Sequence, residues 1–127
     1  MRIIDSKLKI HERIIPKKWG EEIIIHNSEK YCGKILRFNR GAKFSMHFHK
    51  LKTETWYVTA GAFRLTWIDT RNAERHEDMI GVGNIIHIDP ATPHQLEAIL
   101  AGEIFEVSTQ HFDDDSYRIE KGDSQNG

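Results

Sequence analysis

The strongest constraint on this chain is its rhythm: short runs of β-forming residues, each closed by a turn signal within roughly 8–12 positions. "EEIIIHN" is a compact isoleucine run, and "YCGKILRFNRG" ends in a turn at Asn39–Gly41. "TETWYVTAGAFRLTWIDT" reads as two strands broken at Gly61. "RHEDMIGVGNIIHIDPATPH" has Gly81 and Gly83, an isoleucine-rich strand, then a proline-bounded turn; "GEIFEVSTQH" is a further strand. Val, Ile, Trp, Tyr and Phe suit a pleated, half-buried surface. No segment sustains the 3.6-residue period of an amphipathic helix. The pattern predicts an antiparallel all-β sandwich or barrel. A short helix is expected only around Asp113–Tyr117, and "KGDSQNG" (121–127) reads as a frayed polar tail.

The 127 residues suffice for one domain with its own core, and no linker or internal repeat divides them. Charge is nearly balanced, with 18 Lys+Arg against 19 Asp+Glu, and no basic stripe marks a nucleic-acid partner. No apolar run approaches the roughly 20 residues of a membrane span, and the amphipathic opening residues lack a signal-peptide core. Cys32 is the single cysteine, so an internal disulfide and a thiolate-rich zinc site are excluded. A reducing, cytoplasmic setting is the simplest expectation. P-loop, Rossmann and nucleophile-elbow signatures are absent from the sequence.

One stretch carries chemistry: "HFHKLKTETW", His47 to Trp56. Alternate residues of a strand share a face, so His47 and His49 project together. In the following strand Glu54, Trp56 and Val58 share a face. A tight turn between the strands would set Glu54 beside the histidines. Two imidazoles and a carboxylate make a first shell for a divalent ion; the same residues are also compatible with a polar outer face.

The frame around these residues reads Gly-x5-His-x-His-x4-Glu-x6-Gly, from Gly41 to Gly61. It resembles the first motif of the cupin family at all its fixed positions. "GNIIHIDPATPH", Gly83 to His94, resembles the second motif, with Asn84, Asp89 and Ala91 in place of the usual Asp, Pro and Gly, and Ala98 where an Asn often stands. The resemblance implies a cupin jelly roll of six to ten strands, with His94 as a fourth ligand beside His47, His49 and Glu54. "KKWGEE", "TETWYVTAG" and "EVSTQHFDDDSYRIE" are similar to the cupin domain of type II mannose-6-phosphate isomerases, at Trp19, Gly20, Glu54, Trp56, Gly61, Asp114, Asp115 and Arg118.

One divalent metal (Zn, Mn, Fe, Ni or Co) is therefore expected, acting on a small-molecule substrate. Aldose–ketose isomerisation of a sugar or sugar phosphate is the leading expectation. An Fe(II) dioxygenase and a non-catalytic binding barrel are the alternatives. His87 is the candidate acid–base group: if Ile86 and Ile88 take the hydrophobic layer, His87 faces the lumen. It could equally pack as a satisfied polar residue at the mouth. Trp56 is expected to wall the cavity, by packing or by stacking on substrate. Arg118 either binds a substrate phosphate or pairs with Asp114 or Asp115. Phe63 and Trp67 read as core, and His11, His26, His76 and His111 as solvated. The run Asp113–Asp115 reads as a solvated cap. A homodimer is expected, paired through the strand "IIDSKLKI" (3–10).

Overall fold

The structure, a computed structural model, describes Met1 and residues 13–125. Among the described residues eleven strands are formed: β1 (Ile14–Lys17), β2 (Gly20–Asn27), β3 (Cys32–Phe38), β4 (Met46–Phe48), β5 (Glu54–Ala60), β6 (Ala62–Asp69), β7 (Glu74–Gly81), β8 (Ile85–Ile88), β9 (His94–Ala98), β10 (Gly102–Ser108) and β11 (Tyr117–Glu120). They build a six-stranded sheet, β1-β2-β3-β10-β5-β8, and a five-stranded sheet, β11-β4-β9-β6-β7. Every pairing is antiparallel. The jelly-roll expectation holds, as two facing sheets rather than a ring closed by hydrogen bonds. The strand count exceeds ten because β1, β4 and β11 are too short to show a period in sequence.

Alternation sorts each strand into two faces. Trp56 and Val58 of β5, Leu36 and Phe38 of β3, and Ile104 of β10 point between the sheets. They meet Phe63 and Leu65 of β6 and Leu96 and Ala98 of β9 from the other side. Phe63, Val58, Leu96 and Ile104 are fully buried. Trp67 packs against this core from its margin. Gly61 turns the corner between sheets at φ 83°. A Cβ there would lie 2.6 Å from the Ala101 carbonyl oxygen, so sterics as well as the left-handed backbone require glycine.

Two terminal expectations are corrected. Asp113–Tyr117 is not helical: a turn at Asp113–Asp115 leads into β11, whose Arg118 registers with His47 of β4. Residues 121–125 are not frayed. The Asp123 carboxylate accepts the Lys43 N–H at 2.9 Å, and its own N–H donates to the Lys43 carbonyl at 2.9 Å. The dimer strand 3–10 and His11 lie outside the described residues.

Candidate metal centre

The histidines converge because two strands of one sheet are in register. His47 of β4 sits opposite His94 of β9, and His49 follows just past the end of β4. One ring nitrogen of each lies within 4.8 Å of the others. Glu54 enters from the first position of β5, in the opposite sheet, and its Oε2 is 3.4 Å from His49 Nε2.

Each ring is oriented by its far nitrogen. His47 Nδ1 meets the Ser45 carbonyl at 2.7 Å, His49 Nδ1 the Asp115 carbonyl at 2.6 Å and His94 Nδ1 the Thr92 carbonyl at 2.8 Å. A carbonyl can only accept, so Nδ1 carries the proton and Nε2 presents a lone pair. Trp56 treats Glu54 in the same way. Its indole N–H donates to Glu54 Oε1 at 2.7 Å, which leaves Oε2 facing the histidines. His94 Nε2 and Glu54 Oε2 are buried with no hydrogen-bond partner among the described residues. Buried polar atoms are normally satisfied. Two buried acceptors without a hydrogen-bond partner, aimed into one cluster of imidazoles, fit a divalent ion as their common partner.

Electrostatics agree. Burial, with the adjacent His94 and His49, holds His47 well below the usual imidazole range. Burial, and then the Lys52 charge, lowers His49 to about 4. Burial lowers His94 to about 4. All three stay neutral at physiological pH, the form that ligates metal.

The centre opens into a cavity of about 480 Å³. Its wall carries charges that the sequence reading did not anticipate. Lys52, only 4% exposed, reaches Glu106 Oε2 at 3.3 Å, His111 Nδ1 at 3.3 Å and Glu54 Oε2 at 3.8 Å. Lys34, 3% exposed, pairs with Glu22 at 2.7 Å on the same wall. The Trp56 indole also approaches Glu106 Oε1 at 3.3 Å, so one N–H lies between two carboxylates. Burial, and then the neighbouring Glu54, raises Glu106 against the pull of Lys52. Burial pulls Lys52 down, but Glu106 and Glu54 outweigh it and the net shift is upward.

The remaining candidates divide. Trp56 walls the cavity, fully buried, with its ring edge-on to His94 at 5.5 Å. Arg118 is exposed on the cavity rim, and neither Asp114 nor Asp115 pairs with it. His87 is not in the lumen. Ile86 and Ile88 do take the hydrophobic layer, but that layer is the interior itself, so His87 points outward with its side chain 55% exposed. There it contacts Thr55 Oγ1 at 3.0 Å and Asp89 at 3.1 Å. His111 is not solvated but lines the cavity. His26 stacks on Tyr31 and His76 on Trp67. The acidic run is also mixed. Asp113 and Asp114 are exposed, whereas Asp115 is buried and accepts the backbone N–H groups of Lys50, Leu51 and Lys52. That carboxylate fixes the loop between His49 and Glu54.

The departures from the second motif have local explanations. Asn84 Oδ1 accepts the Gly81 N–H at 2.8 Å and closes the turn before β8. Ala91 adopts φ 64°, a conformation that suits glycine, and its N–H donates to the His49 carbonyl at 2.6 Å. Ala91→Gly should therefore raise stability by roughly 0.5–1 kcal/mol, the relief of a left-handed Cβ less the added chain entropy. Thermal melting would show it, and an unchanged or lowered midpoint would contradict the account.

A two-sheet jelly roll with three imidazoles and a carboxylate converging between its sheets is a cupin. The chain belongs to the mannose-6-phosphate isomerase C-terminal family, whose sequence model matches residues 4–121. A search of curated proteins found no match. Among solved structures, a Trp-to-Tyr variant of Bacillus subtilis oxalate decarboxylase superposes with a TM-score of 0.75 at 21% identity, covering 84% of this chain and 30% of that one. The Lactobacillus farciminis oxalate decarboxylase formate complex gives 0.73 at 21% identity, covering 84% and 33%. The capsular polysaccharide assembling protein CapF of Staphylococcus aureus gives 0.72 at 16% identity, covering 84% and 32%. At these identities the likeness is one of fold, and the chain spans about a third of the length of each neighbour. Among the described residues, no helix is long and apolar enough to cross a membrane.

Proposed function

We propose that the chain is a metal-dependent enzyme that interconverts an aldose and a ketose, acting on a sugar or sugar phosphate. The observation that carries this reading is the presence, in one cavity, of three clustered imidazoles, with Glu54 3.4 Å from one of them, and a buried Lys52–Glu106 pair. Membership in a mannose-6-phosphate isomerase family supports the substrate class. His47, His49, Glu54 and His94 would hold a divalent ion, which when bound would supply Lewis acidity toward a sugar's oxygens. Zn, Mn, Fe, Co and Ni all suit this donor set.

The chain's own groups then handle the proton. With His87 outside, the base falls to Glu106, whose raised pKa favours proton uptake. Its Oε2 takes the proton from the carbon beside the carbonyl and returns it to the neighbouring carbon. Lys52 Nζ gives a proton to the carbonyl oxygen as the enediol forms and takes one back from the adjacent hydroxyl as it collapses, so both oxygens end correctly protonated. Trp56 keeps both carboxylates oriented. Arg118 on the rim engages a substrate phosphate through its guanidinium. The single buried cysteine fits a cytoplasmic setting.

The test incubates zinc- or manganese-loaded protein with mannose 6-phosphate or fructose 6-phosphate in heavy water. Deuterium should enter beside the carbonyl without oxygen. Glu106→Gln should slow exchange by about 10²–10⁴-fold with metal content unchanged. Arg118→Ala should raise KM for phosphorylated sugars and leave unphosphorylated ones alone. No exchange with any sugar phosphate, alongside oxygen uptake by the iron-loaded protein, would sink the isomerase reading in favour of a dioxygenase.

A further inference from the structure

Strand β3 puts Cys32, Lys34, Leu36 and Phe38 on one parity, and all four are buried. A lysine in such a row is unusual, because an ammonium is rarely enclosed unless it is paired. Lys34 lines the cavity with its side chain 4% exposed, and its partner Glu22 on β2 is 14% exposed. The metal donors and the Lys52–Glu106 pair share this cavity, but the Lys34–Glu22 pair belongs to neither group. Register sets its place. Lys34 stands opposite Glu106 of β10, and Glu106 stands opposite Trp56 of β5. On its other side β3 pairs with β2. One strand spacing of about 4.8 Å therefore leads along the wall from Glu106 to Lys34, and another reaches the strand that bears Glu22.

Lys52 and Lys34 differ in what their donors meet. Lys52 Nζ faces Glu106 at 3.3 Å, His111 at 3.3 Å and Glu54 at 3.8 Å, so protein acceptors surround it. Among the described residues Lys34 Nζ has one protein acceptor, Glu22 Oε1 at 2.7 Å. An ammonium carries three N–H groups, so two remain for oxygens that enter the cavity. Glu22 Oε2 likewise has no protein donor among the described residues. The two carboxylates differ as well. Burial raises the Glu22 carboxyl, but the charge and hydrogen bond of Lys34 outweigh it and hold the group below its ordinary value. Glu106 is shifted the other way. Opposite shifts on one wall separate a carboxylate that takes protons from one that only accepts hydrogen bonds.

We propose that Lys34 and Glu22 form a hydroxyl-binding subsite, which holds vicinal hydroxyls of a sugar beyond its reacting carbons. The subsite rests on the isomerase reading only for the identity of that sugar. One hydroxyl oxygen accepts from Lys34 Nζ, and a hydroxyl proton of the same diol goes to Glu22 Oε2. The ion pair is neutral overall, so it suits a neutral diol, whereas a substrate phosphate falls to Arg118 on the rim. Lys34 and Glu22 are thus specificity-determining residues and move no proton. A polyol satisfies the enclosed donors. A chain without hydroxyls displaces water and leaves them unpaired, and that penalty is what discriminates.

The test is calorimetric titration of the full-length, zinc-loaded protein with two phosphates that cannot isomerise. Sorbitol 6-phosphate carries the hydroxyls and no carbonyl. Hexyl phosphate has the same chain length and phosphate but no hydroxyls. Lys34→Met should weaken sorbitol 6-phosphate by about 10–100-fold and leave hexyl phosphate unchanged. That variant strands the Glu22 carboxylate, so a double variant, Lys34→Met with Glu22→Gln, removes both charges and protects the fold. It should show the same selective loss with metal content unchanged. Equal loss of both ligands, wild-type affinity for sorbitol 6-phosphate in the double variant, or no binding of it by the wild type would overturn the subsite. Neither probe reacts, so selective loss in a protein that exchanges no deuterium into sugar phosphates would keep the subsite and sink the isomerase reading alone. Exchange at an unchanged KM in the double variant would do the reverse.

Discussion

Alanine at His47, His49, Glu54 or His94 is expected to strip the metal from the purified protein, read by elemental analysis after gel filtration. Each substitution removes one donor from a set in which every Nε2 has been freed by a carbonyl on the opposite nitrogen. The loss should also appear as stability. An ion that binds the folded chain at a hundredfold excess over its dissociation constant adds about 2.7 kcal/mol, worth roughly 10 °C in melting temperature for a domain of this size. Chelator should remove that increment from the wild type and leave the variants unmoved. Glu54→Ala carries a second cost, because the Trp56 N–H loses its shorter bond at 2.7 Å. Full metal occupancy in two or more of the four variants would refute the centre.

Acidification of the metal-free protein should destabilise it between about pH 6.5 and pH 4. His49 and His94 titrate near 4 when folded, and His47 lower than its usual range, against about 6.5 in an unfolded chain. Within that window the unfolded state binds more protons, so stability rises with pH. The contribution is complete above the unfolded value and is lost as pH falls through the folded one. For fully buried His94 the difference amounts to on the order of 3 kcal/mol; His49, less enclosed, contributes less. Metal binding sharpens the dependence, because protons and the ion compete for the same nitrogens. Chemical denaturation of chelated protein across this range would measure it. A flat profile would mean that the imidazoles are solvated.

Much of this was legible in the chain. The spacing of turn residues gave the sheets, and the parity of His47, His49 and Glu54 placed three donors together. The failures have a common physical origin. Period-two alternation says which residues share a face but not which face is the interior. Ile86 and Ile88 point inward, and the reading that turns His87 to the lumen, one of two the sequence allows, holds only if the apolar layer and the cavity are different sides. They are one side. The same parity held an overlooked signal. Cys32, Lys34, Leu36 and Phe38 alternate on β3, Ile104 and Glu106 on β10, and Lys52 precedes Glu54, Trp56 and Val58 by the same step. A charge on an otherwise apolar parity is a buried charge. The three of them, Lys34, Lys52 and Glu106, line the cavity. Arg118 and Asp115 could not be placed, because their neighbours come from distant strands.

The bond from His49 to the Asp115 carbonyl, across 66 residues of sequence, also sets an order of events in time. While the chain is being synthesised, β4 and β5 emerge early, and His47, His49 and Glu54 leave the ribosome with them. The second half of the centre does not exist until His94 appears. The loop holding His49 stays without its anchor until Asp115 has followed and β11 has closed along β4. Non-local contacts of this kind are slow to form, since the intervening chain must be ordered before they reward it. The donor set is therefore complete only late in the maturation of this protein. Until Asp115 and β11 are in place, the chain presents loose imidazoles rather than an oriented set.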